Sequence, residues 1–196
     1  LFAKLALGQK PDALFIACSD SRVVPNLFAS TNPGDLLVLR NIGNLIPPPE
    51  SKTEESTQAG LEFAIFNLNI KDIIVCGHSE CGAINALIQG CNKKCPHTSA
   101  WLEHARNSHK KVQDGLVIRP GLSELNQTSL VNVLQQIEHI SRYPFVREKL
   151  DKGELRIHGW WFDIAQADVY CYEPTLNQFV LIDENESEII LNRLTS

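Results

Sequence analysis

Two short stretches carry side chains that can do chemistry together. In "CSDSR", residues 18–22, Cys18, Asp20 and Arg22 occupy alternate positions. In an extended chain alternate side chains point to one face. In "CGHSECGA", residues 76–83, His78 and Cys81 stand three apart, flanked by Gly77 and Gly82. Two thiolates and one imidazole suffice for a zinc site, and three protein ligands leave a fourth position open, as a catalytic site requires. Asp20 is near enough to Cys18 either to take that fourth position or to accept a hydrogen bond from a zinc-bound water. Arg22, on the same face, can hold the carboxylate in a two-pronged ion pair and keep it off the metal. Zinc lowers the pKa of bound water to about 7. The spacing therefore predicts one Zn2+ per chain on Cys18, His78 and Cys81. A zinc-bound hydroxide would be the nucleophile, with Asp20 orienting it and Arg22 holding Asp20.

Such a site needs elements that bring residues 18 and 78 to one place. Apolar runs of strand length occur at "ALFIAC" (13–18), "DLLVLRN" (35–41), "DIIVCGH" (72–78) and "ELRIHGWWFDI" (154–164). They are nearly continuous rather than alternating, as in parallel strands covered on both faces. Helical patterns fall at 57–68, 81–89, 99–112 and 129–150. The order β-α-β-α-β-α-α-β predicts an α/β domain with right-handed crossovers and a mostly parallel central sheet flanked by helices. "ADVYCYE" (167–173) and "QFVLID" (178–183) read as shorter antiparallel strands at its edge. Residues 44–56, with three consecutive prolines, and residues 90–98 read as loops. In open α/β sheets ligands bind outside the carboxyl ends of the strands. Cys18 closes the first strand and His78 the third, so both arrive at that edge.

With 196 residues and 43% hydrophobic content, the chain reads as a single domain spanning 1–196. A net charge of −5 speaks against a nucleic-acid partner, and no apolar run is long enough to span a bilayer. The cysteines at 18, 76, 81, 91, 95 and 171 suit a reducing compartment, since a chain of this size needs no disulfide staples. The cytoplasm is expected, or an organelle stroma if a transit segment was removed, because the chain has no methionine and does not begin with one. Cys91, Cys95 and His97 in "CNKKCPH" offer three ligand types without a fourth and read as an exposed loop.

The pair "CSDSR" and "GHSECGA", with "RNIGNLIPP" (40–48), "GLEFAIFNLNIKDIIVCGHSECGA" (60–83) and "IHGWWFDI" (157–164), resembles the β-class carbonic anhydrases over nearly the whole chain. The resemblance implies reversible hydration of CO2 to bicarbonate and a proton. It implies zinc on Cys18, His78 and Cys81 and a catalytic Asp20–Arg22 dyad. It implies four parallel strands plus an antiparallel edge strand, and a dimer or dimer of dimers. It places substrate contacts at Gln9 and Gly82, with Leu37 and Phe63 where plant-like members carry phenylalanine and tyrosine. It also implies an N-terminal arm that wraps a neighbouring subunit, most of it lying before Leu1. One subset of the family has a noncatalytic bicarbonate pocket of tryptophan, arginine and tyrosine. The matching positions here are Phe15, Arg40 and Phe162, so two hydrogen-bonding handles are replaced and Asp20 is expected on Arg22 rather than on zinc. CS2 or COS as substrate would use the same site behind a different tunnel. A non-catalytic zinc scaffold would have no use for the Asp20–Arg22 pair.

Overall fold

The computed structural model describes residues 2–51 and 55–195. Its centre is a six-stranded sheet built from β1 (Ala13–Cys18), β2 (Leu36–Asn41), β3 (Asp72–His78), β4 (Arg156–Asp163), β5 (Asp168–Glu173) and β6 (Gln178–Leu181), in the order β2-β1-β3-β4-β5-β6. The first four in that order are parallel; β5 and β6 are antiparallel. The antiparallel edge is thus a pair of strands, as residues 167–183 predict, where the family resemblance implies one. All six residues of β1 are buried, which explains its unbroken apolar run: both faces of this strand are covered.

The helices are α1 (Phe2–Leu5), α2 (Pro25–Phe28), α3 (Ser56–Glu62), α4 (Gly82–Gln89), α5 (Pro96–Leu102), α6 (Arg106–Gln113), α7 (Glu124–Ser141), α8 (Pro144–Asp151) and α9 (Glu184–Thr195). The 18-residue α7 lies across β3 and β4. None of the described helices is long and apolar enough to cross a membrane. One core cluster joins Leu14, Ile16, Ile73, Val75 and Trp161 of the sheet to Leu130, Val133 and Ile140 of α7. On the other face Phe15, Ala17, Cys76 and Phe162 pack together with Phe28 of α2.

Several boundaries differ from the sequence reading, each for a local reason. The pattern at 129–150 is two helices. α7 begins earlier, where the Ser123 hydroxyl accepts from the Asn126 N–H, and stops before Pro144, which forces Tyr143 into extended backbone and opens α8. The pattern at 99–112 is also broken: α5 starts at Pro96, shortening the predicted loop, and a 3-10 turn at Glu103–Ala105 separates it from α6. That turn leaves the His104 carbonyl to accept from the side chains of Gln135 and Gln136 on α7. The helix at 57–68 is α3 followed by a π-helical stretch, Phe63–Asn67. Between β1 and β2 there is only the four-residue α2, and α9 has no counterpart in the sequence reading. Of the predicted loop 44–56, residues 52–54 lie outside the described residues.

Candidate metal centre

Register decides what meets at the carboxyl edge. Cys18 ends β1 opposite Asn41, the last residue of β2, and His78 ends β3 opposite Phe162. Because β1 and β3 are neighbours and Ala17 pairs with Cys76, the ends of the two strands are nearly level. After His78 the chain turns through Glu80, whose φ is +53°, and Cys81 becomes the N-cap of α4. The Glu80 turn is clasped by Asn126 of α7, which accepts from the Glu80 N–H at 2.8 Å and donates to its carboxylate at 3.0 Å.

These turns bring the ligand atoms of Cys18, His78 and Cys81 within 4.8 Å of one another, all three buried. The histidine is oriented for coordination. Its Nδ1 lies 2.9 Å from the Ser79 carbonyl, which can only accept, so Nδ1 carries the proton and Nε2 presents its lone pair. Nε2 is buried and has no hydrogen-bond partner among the described residues. A buried acceptor without a donor is costly. Two thiols and a free imidazole nitrogen facing one point are the donor set zinc prefers. The residues therefore fit that metal. A hydrogen bond from Cys81, opposed by burial and assisted by His78 and the Gly43 N–H, lowers the Cys18 thiol below its ordinary range. Cys81 is raised, because it holds the proton shared with Cys18 and is buried.

Asp20 stands beside this cluster, its Oδ2 4.0 Å from His78 Nε2. Arg22 grips it with two side-chain bonds, Nε to Oδ1 at 2.9 Å and Nη2 to Oδ2 at 2.8 Å, and its backbone N–H adds a third at 3.0 Å. Arg22 is itself anchored on the Glu80 carbonyl at 3.0 Å, tying the first segment to the second. The Arg22 hydrogen bonds, working against partial burial, hold the Asp20 carboxyl well below the usual carboxylate range. Asp20 is thus an ionised acceptor at neutral pH. It points at the ligand cluster without joining it.

Arg40 donates to the Cys18 carbonyl at 3.1 and 2.9 Å and to the Asp20 carbonyl at 2.7 Å, so its guanidinium braces the backbone of the site. Phe15 and Phe162 are buried among aromatic rings; Phe28 stacks on Phe162 at 4.3 Å and meets Phe15 edge-on at 5.9 Å. Gly82 is exposed at the first turn of α4, next to Cys81. Gln9, exposed ahead of β1, and Phe63, 43% exposed, are not part of the cluster. Leu37 pairs with Leu14, four positions before Cys18, or about 13 Å along the strand. Cys91 is half-buried and Cys95 and His97 are exposed; the three are not gathered at ligand distance. All six cysteines are reduced.

Sequence reasoning missed two supports of the site. The Gly43 N–H points at Cys18 Sγ, 3.4 Å away. "NIGN" carries a signal for it, a glycine between asparagines that marks a left-handed turn, and Gly43 has φ +82°. Ser129 of α7 donates to the His78 carbonyl at 2.8 Å and accepts from the Trp161 indole at 3.1 Å. Nothing in the sequence marks it.

The fold and site define an α/β protein with a buried Cys2His ligand cluster and an arginine-held carboxylate at the carboxyl edge of a parallel sheet. A family model described as carbonic anhydrase matches residues 13–169. The chain is similar to a carbonic anhydrase of Synechocystis sp., 38% identical over 182 residues, covering 92% of this chain and 66% of that protein. It is similar to one of Pseudomonas aeruginosa, 35% identical over 192 residues, covering 94% and 84%. Among solved structures, the β-carbonic anhydrase CcaA has a TM-score of 0.85 at 38% identity, covering 92% of this chain and 88% of that one. A tetrameric β-carbonic anhydrase of Sordaria macrospora has a TM-score of 0.75 at 31% identity, covering 87% and 85%. The chain belongs to the β-class carbonic anhydrases.

Proposed function

We propose that this chain catalyses the reversible hydration of CO2 to bicarbonate and a proton, with one zinc ion held by Cys18, His78 and Cys81. The observation that carries this reading is the convergence of two thiols and of His78 Nε2, unpartnered among the described residues, on one buried point beside an ionised carboxylate. Zinc in that position supplies a nucleophile near neutral pH by acidifying its water. Asp20, ionised and beside the cluster, would accept a hydrogen bond from that water and so orient it. Arg22 keeps Asp20 ionised and held beside the cluster without joining it.

The proposed substrate contacts are Gln9, Gly82, Leu37 and Phe63. Because Leu37 is about 13 Å along the sheet from Cys18 of its own chain, it serves substrate only across an interface with a second copy. Exposed Leu27, Ile42, Phe63 and Phe66 supply apolar surface for such an interface. A dimer or dimer of dimers is proposed, in line with the tetrameric relative from Sordaria. Reduced thiols suit the cytoplasm or an organelle stroma.

The test is stopped-flow CO2 hydration paired with metal analysis. The protein should carry one zinc per chain, and a chelator should remove zinc and rate together. Cys81→Ser should lose both; Asp20→Asn should keep the zinc and lose most of the turnover. Stoichiometric zinc in Cys81→Ser would overturn the ligand assignment, and a parental rate in Asp20→Asn would overturn the role of the carboxylate.

A further inference from the structure

We infer that the Ile42–Gly43 peptide is a fixed donor to the Cys18 sulfur, and that Trp101 and Asn132 are the residues that position it. The inference rests on the reading of Cys18 as a zinc ligand. The two ends of this one peptide are both engaged. Its N–H donates to Cys18 Sγ at 3.4 Å, and its carbonyl, that of Ile42, accepts from Trp101 Nε1 at 2.7 Å. In a planar trans peptide the N–H and C=O point in opposite directions, so a donor that grips the oxygen aims the hydrogen. Hydrogen bonds in such a series polarise one another, and the indole therefore strengthens the donor that faces the sulfur.

The following carbonyl, that of Gly43, accepts from Asn132 Nδ2 at 3.2 Å, which fixes the other side of the same residue. Asn132 is itself held, because its Oδ1 accepts from Gln136 Nε2 at 2.8 Å. Gln136 in turn accepts from the Ile46 N–H at 2.7 Å. Asn132 and Gln136 are one turn apart on α7 and both are buried, 1% and 0% exposed, so this polar face is shaped to the loop rather than to solvent. Only glycine suits the centre of the clamp: φ is +82°, and a Cβ on Gly43 would sit 3.2 Å from the Ala83 Cβ.

The hydrogen bonds of Trp101 and Asn132 to this loop go to the Ile42 and Gly43 carbonyls and not to a ligand atom. Both act through the peptide, by holding one hydrogen bond to Cys18 in place before any metal arrives. A sulfur with a fixed donor is already oriented for the metal. Losing a group bonded to a metal ligand costs about 10–100-fold in metal affinity.

The experiment compares the zinc-loaded parent with Trp101→Phe, Asn132→Ala and Thr128→Val, following zinc transfer to a chromophoric chelator. Cobalt(II) in place of zinc reports the thiolate-to-metal charge-transfer band. Trp101→Phe keeps an aromatic side chain and removes the indole N–H together with the five-membered ring that carries it. It should release zinc several-fold faster, up to about tenfold, with the cobalt band at longer wavelength, because a sulfur whose donor is loosened gives charge more readily. Asn132→Ala should move in the same direction. Thr128→Val, on the same helix but without a bond to the loop, should match the parent. Parental release and an unshifted band in Trp101→Phe would overturn the inference, as would equal acceleration in Thr128→Val. If Asn132→Ala does not fold, Trp101→Phe decides alone. A parent that binds no zinc refutes the ligand reading instead, which separates the two failures.

Discussion

Ser129 and Thr128 are neighbours on α7, both buried hydroxyls, yet their removal should have opposite effects. Ser129 Oγ links two buried groups, donating to the His78 carbonyl at 2.8 Å and accepting from the Trp161 indole at 3.1 Å. Ser129→Ala leaves both without that partner, where Ser129 is 2% and Trp161 0% exposed. An orphaned buried polar group costs about 1–3 kcal/mol. Two such groups, with some relaxation, bring the loss to about 2–4 kcal/mol. In a domain of 150–250 residues each kcal/mol lowers Tm by about 2–4 °C, so a drop of roughly 4–16 °C follows. Thr128 Oγ1, by contrast, is buried with no hydrogen-bond partner among the described residues. Thr128→Val keeps the shape and removes a desolvated hydroxyl, so Tm should hold or rise. Calorimetry on both variants after zinc removal, at one protein concentration, makes the comparison independent of metal loading and association. If Ser129→Ala melts within about 1 °C of the parent, or Thr128→Val falls as far as Ser129→Ala, the reasoning is refuted.

Two further outcomes follow from other parts of the molecule. Asp72, at the opposite end of β3, is held below its usual pKa despite burial by hydrogen bonds from His158 at 2.9 Å and from Arg156 at 2.7 Å. A depressed folded-state pKa contributes stability above the unfolded value of about 3.9 and loses it as pH falls toward the folded one. Asp72→Asn should therefore lower the urea midpoint at pH 7, with the gap to the parent narrowing below pH 4; a constant gap would contradict the ion-pair account. For assembly, sedimentation should give a dimer or tetramer, and Phe66→Glu, which charges an exposed apolar side chain, should weaken it; a stable, active monomer of the parent would sink the interface proposal.

Much of the site could be read before any fold was known, for a physical reason. The stretches that carry Cys18, His78 and Cys81 each close an apolar strand, and residues within a strand or a tight turn are placed by local geometry alone. Asp20 and Arg22 do meet, but not by the strand alternation read from the sequence: β1 ends at Cys18, and a turn closed by the Val23 N–H on the Asp20 carbonyl folds Arg22 back onto the Asp20 carboxylate. Continuous apolar runs marked buried parallel strands, and β1 is buried throughout. Helix ends were less legible where competing signals met: Pro144 splits a pattern whose apolar periodicity runs through it, and the break between α5 and α6 is satisfied by Gln135 and Gln136, some 30 residues away along the chain.

What only the tertiary structure decided is which distant groups face the Cys18–His78–Cys81 cluster. The sequence by itself determined the candidate donor set, the carboxylate beside it and the strands that end there. It could not show that His78 Nε2 lies buried without a hydrogen-bond partner among the described residues, that Arg22 anchors on the Glu80 carbonyl, or that the Gly43 N–H meets Cys18 across 25 positions. Nor could it show that α7 spends its buried face on Ser129, Asn132, Gln136 and His139 to hold these segments. Buried polar residues of that kind break the apolar periodicity by which a helix face is recognised. Their partners are backbone groups in remote loops, and those pairings exist only once packing has removed water and left each donor one acceptor to reach.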